Sequence, residues 1–314
     1  MQPSPERLKS SFLVTGVSGL LGLNLAKQLI LQGATVYGCS SRQAVRLGGL
    51  NYFSCDIRDA DQLEMRAREL APEVIVHCAA ATNVDWCEMH PAETSAINAR
   101  PCVDLATTAN RLGATLVLVS TDSVFDGERG NYTEKDEPRP LNAYARSKLA
   151  AEELVSGQAD RGIIVRANLY GWNGQQKSSL TEWIIAELQA GREITGFDDV
   201  VFAPLLATDL AELLTKLALH QRHGLYHAGT RNAVSKYEFA TQVAKIYGLE
   251  ERLIKRGKLA GSKLIAPRPL NTSLVSTKIE AELGARLPSI EEGLQRFYGQ
   301  GMSGWSQELK THIL

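Results

Sequence analysis

The feature that most constrains the fold is a regular alternation of short apolar runs with longer amphipathic stretches between residues 11 and about 170. The runs are rich in β-branched residues and almost continuously apolar, as expected of parallel strands that are buried on both faces. They are SFLVT (11–15), ATVYGC (34–39), LNYFSC (50–55), VIVHCA (74–79), TLVLVS (115–120) and GIIVRA (162–167). After the first run, Leu21, Leu25 and Leu29 recur every fourth residue and predict an amphipathic helix. This alternation predicts an α/β fold with a doubly wound parallel sheet.

The pattern loosens after residue 170, which predicts a second and smaller lobe. Residues 171–198 contain one amphipathic helix among several glycines, whereas ATDLAELLTKLAL (207–219) is similar to the helices of the first part. From residue 223 onward a strand, a helix and a basic segment with prolines follow one another. We therefore assign residues 1–170 plus 199–222 to the sheet domain, 171–198 plus 223–298 to a discontinuous lobe, and 299–314 to a loosely attached tail.

The charge balance and the cysteines exclude several classes of protein. The 314 residues include 34 basic and 35 acidic side chains, so the chain lacks the positive footprint of a nucleic-acid-binding protein. The sequence contains no run of about 18 apolar residues, so no membrane span is predicted. The first residues lack the apolar core of a signal peptide. The five cysteines and six histidines show no typical metal-ligand spacing, so we expect free thiols, no metal and a cytoplasmic location.

A glycine triad between the first strand and the first helix predicts a dinucleotide site. In LVTGVSGLLG, Gly16, Gly19 and Gly22 recur every third residue. Glycine permits the tight turn, lets the backbone approach a pyrophosphate and allows close packing of helix on strand. The N-terminus of the helix then offers unpaired N–H groups to the anion, and we expect Ser18, Leu20 and Leu21 to contribute to the same turn. With this motif, the doubly wound sheet is predicted to be of the Rossmann type.

The end of the second strand favours NADPH over NADH. An NAD-preferring site usually places a carboxylate there to hold the adenosine ribose, but this chain has Ser41 and Arg42. Arg42 could pair with a 2′-phosphate and Ser41 could donate to it, although a solvated loop arginine would look the same. Asp56, followed by Ile57, is placed to bind the adenine amine, although a helix N-cap would look the same. We therefore expect NADPH as the cofactor, with NADH as a weaker substitute.

Two segments carry residues typical of general acid–base chemistry. The fifth strand ends in Thr121 and Asp122, and ligands of open parallel sheets bind at that edge. Tyr144 and Lys148 are spaced i and i+4, so one helical turn places both on one face. We expect the ammonium of Lys148 to lower the pKa of the Tyr144 phenol, which would then exchange a proton with a substrate oxygen oriented by Thr121.

At this point the chain resembles a known family, the extended short-chain dehydrogenase/reductases, and within it the dTDP-4-dehydrorhamnose reductase type. The resemblance spans residues 11 to about 297 and rests on the ordered segments TGVSGLLG, HCAAATNVD, STDSVFDG, PLNAYARSKLAAE, VRANLYG, GLYHAG and RPLNTSL. It implies a Rossmann-type domain with a C-terminal lobe for a nucleotide-diphosphate sugar. It also implies an NADPH-dependent reduction of a nucleotide-linked 4-keto-6-deoxysugar.

The resemblance assigns roles to individual residues. Thr121, Tyr144 and Lys148 become the catalytic triad, and Lys148 also grips the nicotinamide ribose. Residues expected along the cofactor are Ala79, Ala80, Ala81 and Asn98. Asp122 and Asn168 would lie on the substrate side. Arg268 would pair with the diphosphate of the substrate, but a surface-loop arginine is almost as good an interpretation.

Departures from the family pattern leave two alternatives open. Ser123 stands where the related dehydratases have a glutamate, so an elimination mechanism lacks its second carboxylate. The segment DDVVFAPLLATDLA keeps only Pro204 and Asp209 of the usual substrate-side pattern, which leaves the sugar undetermined. VYGCSSR and VIVHCAA also resemble the regulatory β-subunit of methionine adenosyltransferase, which binds NADP and acts through a partner. A nucleotide-sugar epimerase is the other alternative, and the fold class accommodates a homodimer although no residue requires one.

Overall fold

The computed structural model describes residues 8–313, which form a central parallel sheet, flanking helices and a smaller lobe. The strands are β1 (Ser11–Thr15), β2 (Thr35–Ser40), β3 (Leu50–Ser54), β4 (Val74–His77), β5 (Thr115–Thr121), β6 (Gly162–Ala167), β7 (Leu169–Tyr170), β8 (Ile194–Phe197), β9 (Val201–Phe202), β10 (Leu205–Leu206), β11 (Gly224–Ala228), β12 (Val234–Ser235) and β13 (Ile254–Gly257). The helices are α1 (Leu20–Leu31), α2 (Ala60–Leu70), α3 (Val84–Met89), α4 (Pro91–Asn98), α5 (Pro101–Leu112), α6 (Ala143–Gln158), α7 (Leu180–Gln189), α8 (Ala207–Leu219), α9 (Lys236–Tyr247), α10 (Thr277–Leu283), α11 (Ile290–Met302) and α12 (Trp305–Thr311).

The main sheet confirms the predicted Rossmann-type fold. Its seven strands run in the order β11-β6-β5-β4-β1-β2-β3, and every neighbouring pair is parallel. Alternate side chains of β1 enter opposite cores, because Phe12 and Val14 pack on one face of the sheet and Leu13 packs on the other. The chain order reverses between β1 and β4, and ligands of such sheets bind at the carboxyl ends of the strands beside this point.

The smaller lobe has its own apolar core. Ile184 of α7, Phe202 of β9, Phe239 of α9 and Phe297 of α11 pack together there. Phe202 and Phe239 meet edge to face at 5.3 Å between ring centroids. The lobe also contains two-stranded pairings of β9 with β12 and of β8 with β13. The lobe is discontinuous in sequence because α8 and β11, which belong to the sheet domain, lie between β9 and β12 along the chain.

The expected boundary at residue 223 is wrong for one strand. We assigned Gly224–Ala228 to the lobe, but β11 pairs in parallel with β6 and forms the edge of the main sheet. Ile279 and Leu287, which follow much later, also pack in the core of the sheet domain. The sequence does not show this, because an apolar strand indicates burial without indicating which distant strand it pairs with. The rest of the division into two parts remains a proposal.

We expected residues 299–314 to form a loose tail, and this prediction is wrong because residues 299–313 pack against the sheet domain. The α11 helix continues through the glycines to Met302, and α12 packs on α1. Leu309 is completely buried in the main core, and the Lys27 ammonium lies 2.5 Å from the Glu308 carboxylate. Trp305 Nε1 donates to Asn24 Oδ1 at 2.8 Å. The spacing of Trp305, Leu309 and Ile313 at every fourth residue was the sequence signal for this packing.

Within residues 8–313, no helix is long and apolar enough to cross a membrane, and no group of His, Cys, Asp or Glu side chains could hold a metal ion. All five cysteines are free thiols, and four of them are buried.

Candidate active site

The turn between β1 and α1 requires glycine for steric reasons. Gly16 has a φ of +65°, and a Cβ there would lie 2.6 Å from the Ala79 Cα. A Cβ on Gly22 would overlap the carbonyl oxygen of Gly16. Gly19 is the N-cap of α1, no side chain caps the helix, and its first turn contains no acid. The turn therefore presents open backbone and a partial positive charge, which fit an anionic pyrophosphate.

A cavity of about 660 Å³ opens beside this turn at the carboxyl end of the sheet. Ten of the predicted cofactor residues line it: Gly16, Ser18, Gly19, Ser41, Arg42, Asp56, Ile57, Ala79, Ala80 and Ala81. Leu20, Leu21 and Gly22 do not line it, and the side chain of Leu21 is buried in the core. Any contribution of these three residues to the site is therefore made by the first turn of the helix backbone.

One end of the cavity carries an excess of positive charge. Asp56 accepts from Arg58 Nε at 3.0 Å and lies 2.5 Å from Arg58 Nη2, and these hydrogen bonds lower the pKa of the Asp56 carboxyl. Arg42 lies near enough to lower it further. Asp56 is not a helix cap, because Asp59 caps α2 by accepting from the Gln62 amide. Two guanidinium groups thus surround one carboxylate, and this end fits the 2′-phosphate and adenine of a dinucleotide.

Arg58, Gln175 and Lys177 also line the cavity, and none of them was predicted from the sequence. Arg58 follows Asp56 by two residues, so its charge in CDIRD was an available signal. Gln175 and Lys177 come from the smaller lobe, and nothing local in the sequence indicates that this segment reaches the cofactor cavity.

Asn98 does not contact the cofactor cavity, contrary to our expectation. It is completely buried, accepts from the Ala81 amide at 2.7 Å and donates to the Ala81 carbonyl at 3.1 Å. Its side chain also donates to Ser147 Oγ at 3.0 Å, and Ser147 in turn donates to the Tyr144 carbonyl at 2.7 Å. Asn98 therefore positions the cavity wall relative to the helix that carries Tyr144.

Helix α6 places Tyr144 and Lys148 one turn apart, as predicted. Its N-terminus is fixed by Asn142, whose side chain accepts from the Ala145 amide at 2.9 Å and donates to the Pro267 carbonyl at 2.9 Å. Tyr144 is half-buried, whereas Lys148 is only 2% exposed. The two predicted proton-handling groups thus lie near the N-terminal end of a helix that is anchored to the smaller lobe.

The expected lowering of the Tyr144 pKa is wrong. Burial raises the pKa of Tyr144 to about 12, and only a hydrogen bond with Thr121 acts in the opposite direction. Lys148 is not among the groups that shift this phenol, and burial lowers the pKa of Lys148 itself. A phenol with so high a pKa stays protonated at neutral pH, which is the form required to donate a proton to a new alkoxide.

Thr121 lies at the end of β5 and forms a hydrogen bond with the Tyr144 phenol. It is 5% exposed, its Oγ1 accepts from the Ser123 amide at 3.2 Å and it donates to Asp122 Oδ1 at 3.3 Å. These contacts fix the rotamer of the hydroxyl at the carboxyl edge of the sheet. The hydroxyl can therefore orient an oxygen that receives the proton of Tyr144.

Asp122 cannot contact a substrate in this arrangement, contrary to our expectation, because it is only 1% exposed. Its carboxylate accepts from Thr272 Oγ1 at 2.5 Å, from Asn168 Nδ2 at 3.1 Å and from Ser123 Oγ at 3.2 Å. Asp122 thus ties the ends of β5 and β6 to the segment around Thr272. Asn168 is half-buried, and its role toward the sugar remains a proposal.

Arg268 is not a free surface arginine. Its Nη2 lies 2.8 Å from Asp85 Oδ1, and its Nη1 donates to the Ala266 carbonyl at 2.9 Å. Asp85 also accepts from the Ala266 amide at 3.1 Å, so this carboxylate holds the whole turn. Arg268 does not line the 660 Å³ cavity, and its contact with a diphosphate remains a proposal.

A buried ion pair that the sequence did not reveal fixes the middle of α6. Arg166 of β6 binds both carboxylate oxygens of Glu152, with Nε at 3.0 Å from each and Nη2 at 2.6 Å from Oε2. Ser120 donates to the same carboxylate. Arg166 Nη1 also lies 3.4 Å from the Nε2 of His227, a residue of β11. Helix α6 is thereby linked to three strands of the main sheet.

Comparisons with known proteins agree with this geometry. The model of the RmlD substrate-binding domain matches residues 10–302. A probable low-salt glycan biosynthesis reductase of Haloferax volcanii is 31% identical over 290 residues, which cover 90% of this chain and 95% of that protein. The methionine adenosyltransferase 2 subunit beta of Rattus norvegicus is 29% identical over 297 residues, which cover 91% of this chain and 87% of that protein.

A solved structure has the same fold. The crystal structure of dTDP-4-dehydrorhamnose reductase from Bacillus anthracis in complex with NADP has a TM-score of 0.83 and 28% identity, and covers 93% of this chain and 100% of that chain. The resemblance drawn from the sequence segments is thus confirmed, together with the oxidoreductase class. The chain belongs to the RmlD substrate-binding domain family, the sugar-nucleotide reductase family of RmlD type.

Proposed function

We propose that this protein is an NADPH-dependent reductase of a nucleotide-linked 4-keto-6-deoxysugar. The observation that carries the proposal is that the cavity opens at the carboxyl edge of the sheet where Thr121 ends β5, and that Lys148 is close enough to Cys78, a residue of the cavity wall, to act on the pKa of its thiol. Thr121, Tyr144 and Lys148 do not themselves line the cavity. The relative from Bacillus anthracis is a dTDP-4-dehydrorhamnose reductase that was solved with NADP, which supports both the reaction class and the cofactor. In this proposal the sheet domain binds the cofactor and the smaller lobe binds the sugar nucleotide.

Each catalytic residue has a separate task in the proposed reaction. When bound, reduced nicotinamide supplies the hydride that the C4 carbonyl receives. Thr121 would turn its hydroxyl hydrogen from Asp122 Oδ1 to the carbonyl oxygen and so orient that oxygen. Tyr144 transfers its phenolic proton to that oxygen as negative charge develops there. The buried ammonium of Lys148 would bind the nicotinamide ribose.

The cofactor end supports NADPH in particular. Ser41 and Arg42 stand at the end of β2, where an NAD-preferring site places a carboxylate. The Asp56 carboxylate forms an ion pair with Arg58, so its one negative charge does not neutralise both Arg58 and Arg42. A 2′-phosphate carries close to two negative charges and would meet a positively charged pocket here.

The direct test is to measure NADPH oxidation by the purified chain with a panel of nucleotide-linked 4-keto-6-deoxysugars. The proposal requires oxidation that depends on the sugar nucleotide, with NADH oxidised more slowly. Tight NADP binding without oxidation in the presence of any member of the panel would contradict it.

The likeness to methionine adenosyltransferase 2 subunit beta favours a second candidate function, that of a cofactor-binding regulatory subunit. Such a subunit would keep the cavity but act by docking to another protein. Isolation of the chain in a stoichiometric complex, with no turnover of any keto sugar, would favour this candidate over a reductase.

A further inference from the structure

A loop of the smaller lobe forms one wall of the cofactor cavity. The loop of residues 173–179 lies between β7 and α7, and two of its residues, Gln175 and Lys177, line the same 660 Å³ cavity as the glycine turn and Arg42. The lobe that we assign to the substrate therefore also contributes to the cofactor side.

The loop is held in place at both ends and in the middle. Before it, the carbonyl of Trp172 accepts from Asn24 Nδ2 of α1 at 2.9 Å. After it, Ser179 and Glu182 form a capping box at the start of α7. Within it, buried Asn173 donates to the Lys177 carbonyl at 2.7 Å and accepts from the Gln175 amide at 3.1 Å. The backbone of Lys177 is thus fixed beside the cavity, which lowers the entropy lost when its side chain binds a ligand.

The loop approaches from the side of Arg42 rather than from the glycine turn. A second cavity of about 450 Å³ adjoins the first and shares with it Gln43 and Gln175. Gln43 directly follows Arg42, and no residue of the glycine turn lines this second cavity. Lys177 lies between Gln176 and Ser178, which both line this second cavity, so the loop meets the cofactor cavity on its Arg42 side, where the adenosine ribose is expected.

The positive charges at this place outnumber the negative charge that the protein supplies. Arg58 is paired with Asp56 at 2.5 Å, but neither Arg42 nor Lys177 forms an ion pair with any part of the chain from residue 8 to 313. Two cations from different lobes thus line one cavity, whose single carboxylate, Asp56, is paired with Arg58. A phosphate monoester, with close to two negative charges and three acceptor oxygens, is the ligand chemistry that fits both.

We propose that Lys177 binds the 2′-phosphate of NADPH together with Arg42, so that the smaller lobe takes part in the choice of cofactor. This inference rests on the proposed use of NADPH. Because the ammonium is a point charge on a flexible stem, it contributes affinity for the phosphate, while the planar guanidinium of Arg42 contributes geometry.

The test measures dissociation constants of NADP⁺ and NAD⁺ for the full chain by intrinsic fluorescence or calorimetry. Lys177→Met should weaken NADP⁺ binding about tenfold, as expected for loss of one charge-assisted contact, and change NAD⁺ binding less than about twofold. Lys177→Arg should keep the preference for NADP⁺. The matched control is Lys310→Met, which removes an equal charge from a residue that lines only the second cavity, and it should leave both constants unchanged.

The outcomes separate this inference from the proposed function. Equal weakening of NADP⁺ and NAD⁺ by Lys177→Met would place the contact at the pyrophosphate and overturn the inference. Unchanged binding of NADP⁺ in that variant, with a wild-type chain that still prefers NADP⁺, would overturn the inference alone. A wild-type chain with no preference for NADP⁺ would overturn the proposed cofactor and this inference with it.

Discussion

The buried ion pair between Glu152 and Arg166 provides a quantitative test of how α6 is held. The two side chains are 5% and 4% exposed, and Arg166 makes three contacts of 2.6–3.0 Å with the carboxylate. In Arg166→Met the carboxylate would remain buried with Ser120 as its one remaining hydrogen-bond donor. Removal of one partner from a buried pair costs about 3–5 kcal/mol, because the other charge is left uncompensated. We therefore expect a loss of about that size in the free energy of unfolding.

Urea unfolding and thermal melting monitored by circular dichroism measure this loss. For a chain of this size the melting temperature should fall by about 5–8 °C. The double variant Glu152→Leu/Arg166→Met, which removes both charges, should lose less than Arg166→Met does. The matched control is Arg192→Met, which breaks a bidentate pair with Glu187 on the surface and should change stability little.

Two results would refute this reasoning. One is a loss below about 1 kcal/mol in Arg166→Met, which would show that the carboxylate is solvated or protonated without large cost. The other is a double variant that is less stable than Arg166→Met, since this would show that packing rather than an uncompensated charge dominates.

Three further predictions follow from the same structure. Gly22→Ala should weaken cofactor binding and lower the melting temperature, because the added methyl overlaps the Gly16 carbonyl; unchanged binding would show that the turn can move away. Leu309→Ala should cost about 2–5 kcal/mol in unfolding free energy, because the side chain is completely buried in the main core; a loss within error would restore the loose tail. The pKa of Tyr144 is raised to about 12, so the protonated donor persists throughout the neutral and mildly alkaline range and kcat for keto-sugar reduction should not fall there. A kcat that declines from about pH 8, with the decline removed by Tyr144→Phe, would contradict the raised pKa.

Much of the fold was accessible from local sequence patterns. The strands that are buried on both faces read as continuous apolar runs, and β1 to β6 lie within a residue or two of their predicted bounds. The glycine triad and the spacing of Tyr144 and Lys148 are equally local, since a turn and a single helical turn depend on neighbouring residues. The ten predicted residues that line the cavity follow from these patterns and from the family resemblance.

The remaining features depend on contacts between distant residues. The pairing of β11 with β6 and the packing of Leu309 on α1 each bring together segments that lie far apart in the chain. Asp122 looked like a substrate ligand because its position at a strand end is visible, whereas its partners Asn168 and Thr272 are not. The pKa of Tyr144 differs from the predicted one for the same reason. A lysine one helical turn away suggests a lowered pKa, and only the folded structure shows the burial that raises it.

The central claim is that the Tyr144 phenol donates the proton that completes reduction of a keto sugar. The most direct measurement is steady-state NADPH oxidation by Tyr144→Phe beside the wild type, with NADP⁺ affinity determined on the same samples. We expect kcat to fall by about 10² to 10⁴ while cofactor affinity stays nearly the same. Tyr298→Phe on α11 serves as the matched control and should keep full turnover. Full turnover in Tyr144→Phe would contradict the claim and leave only the dinucleotide cavity.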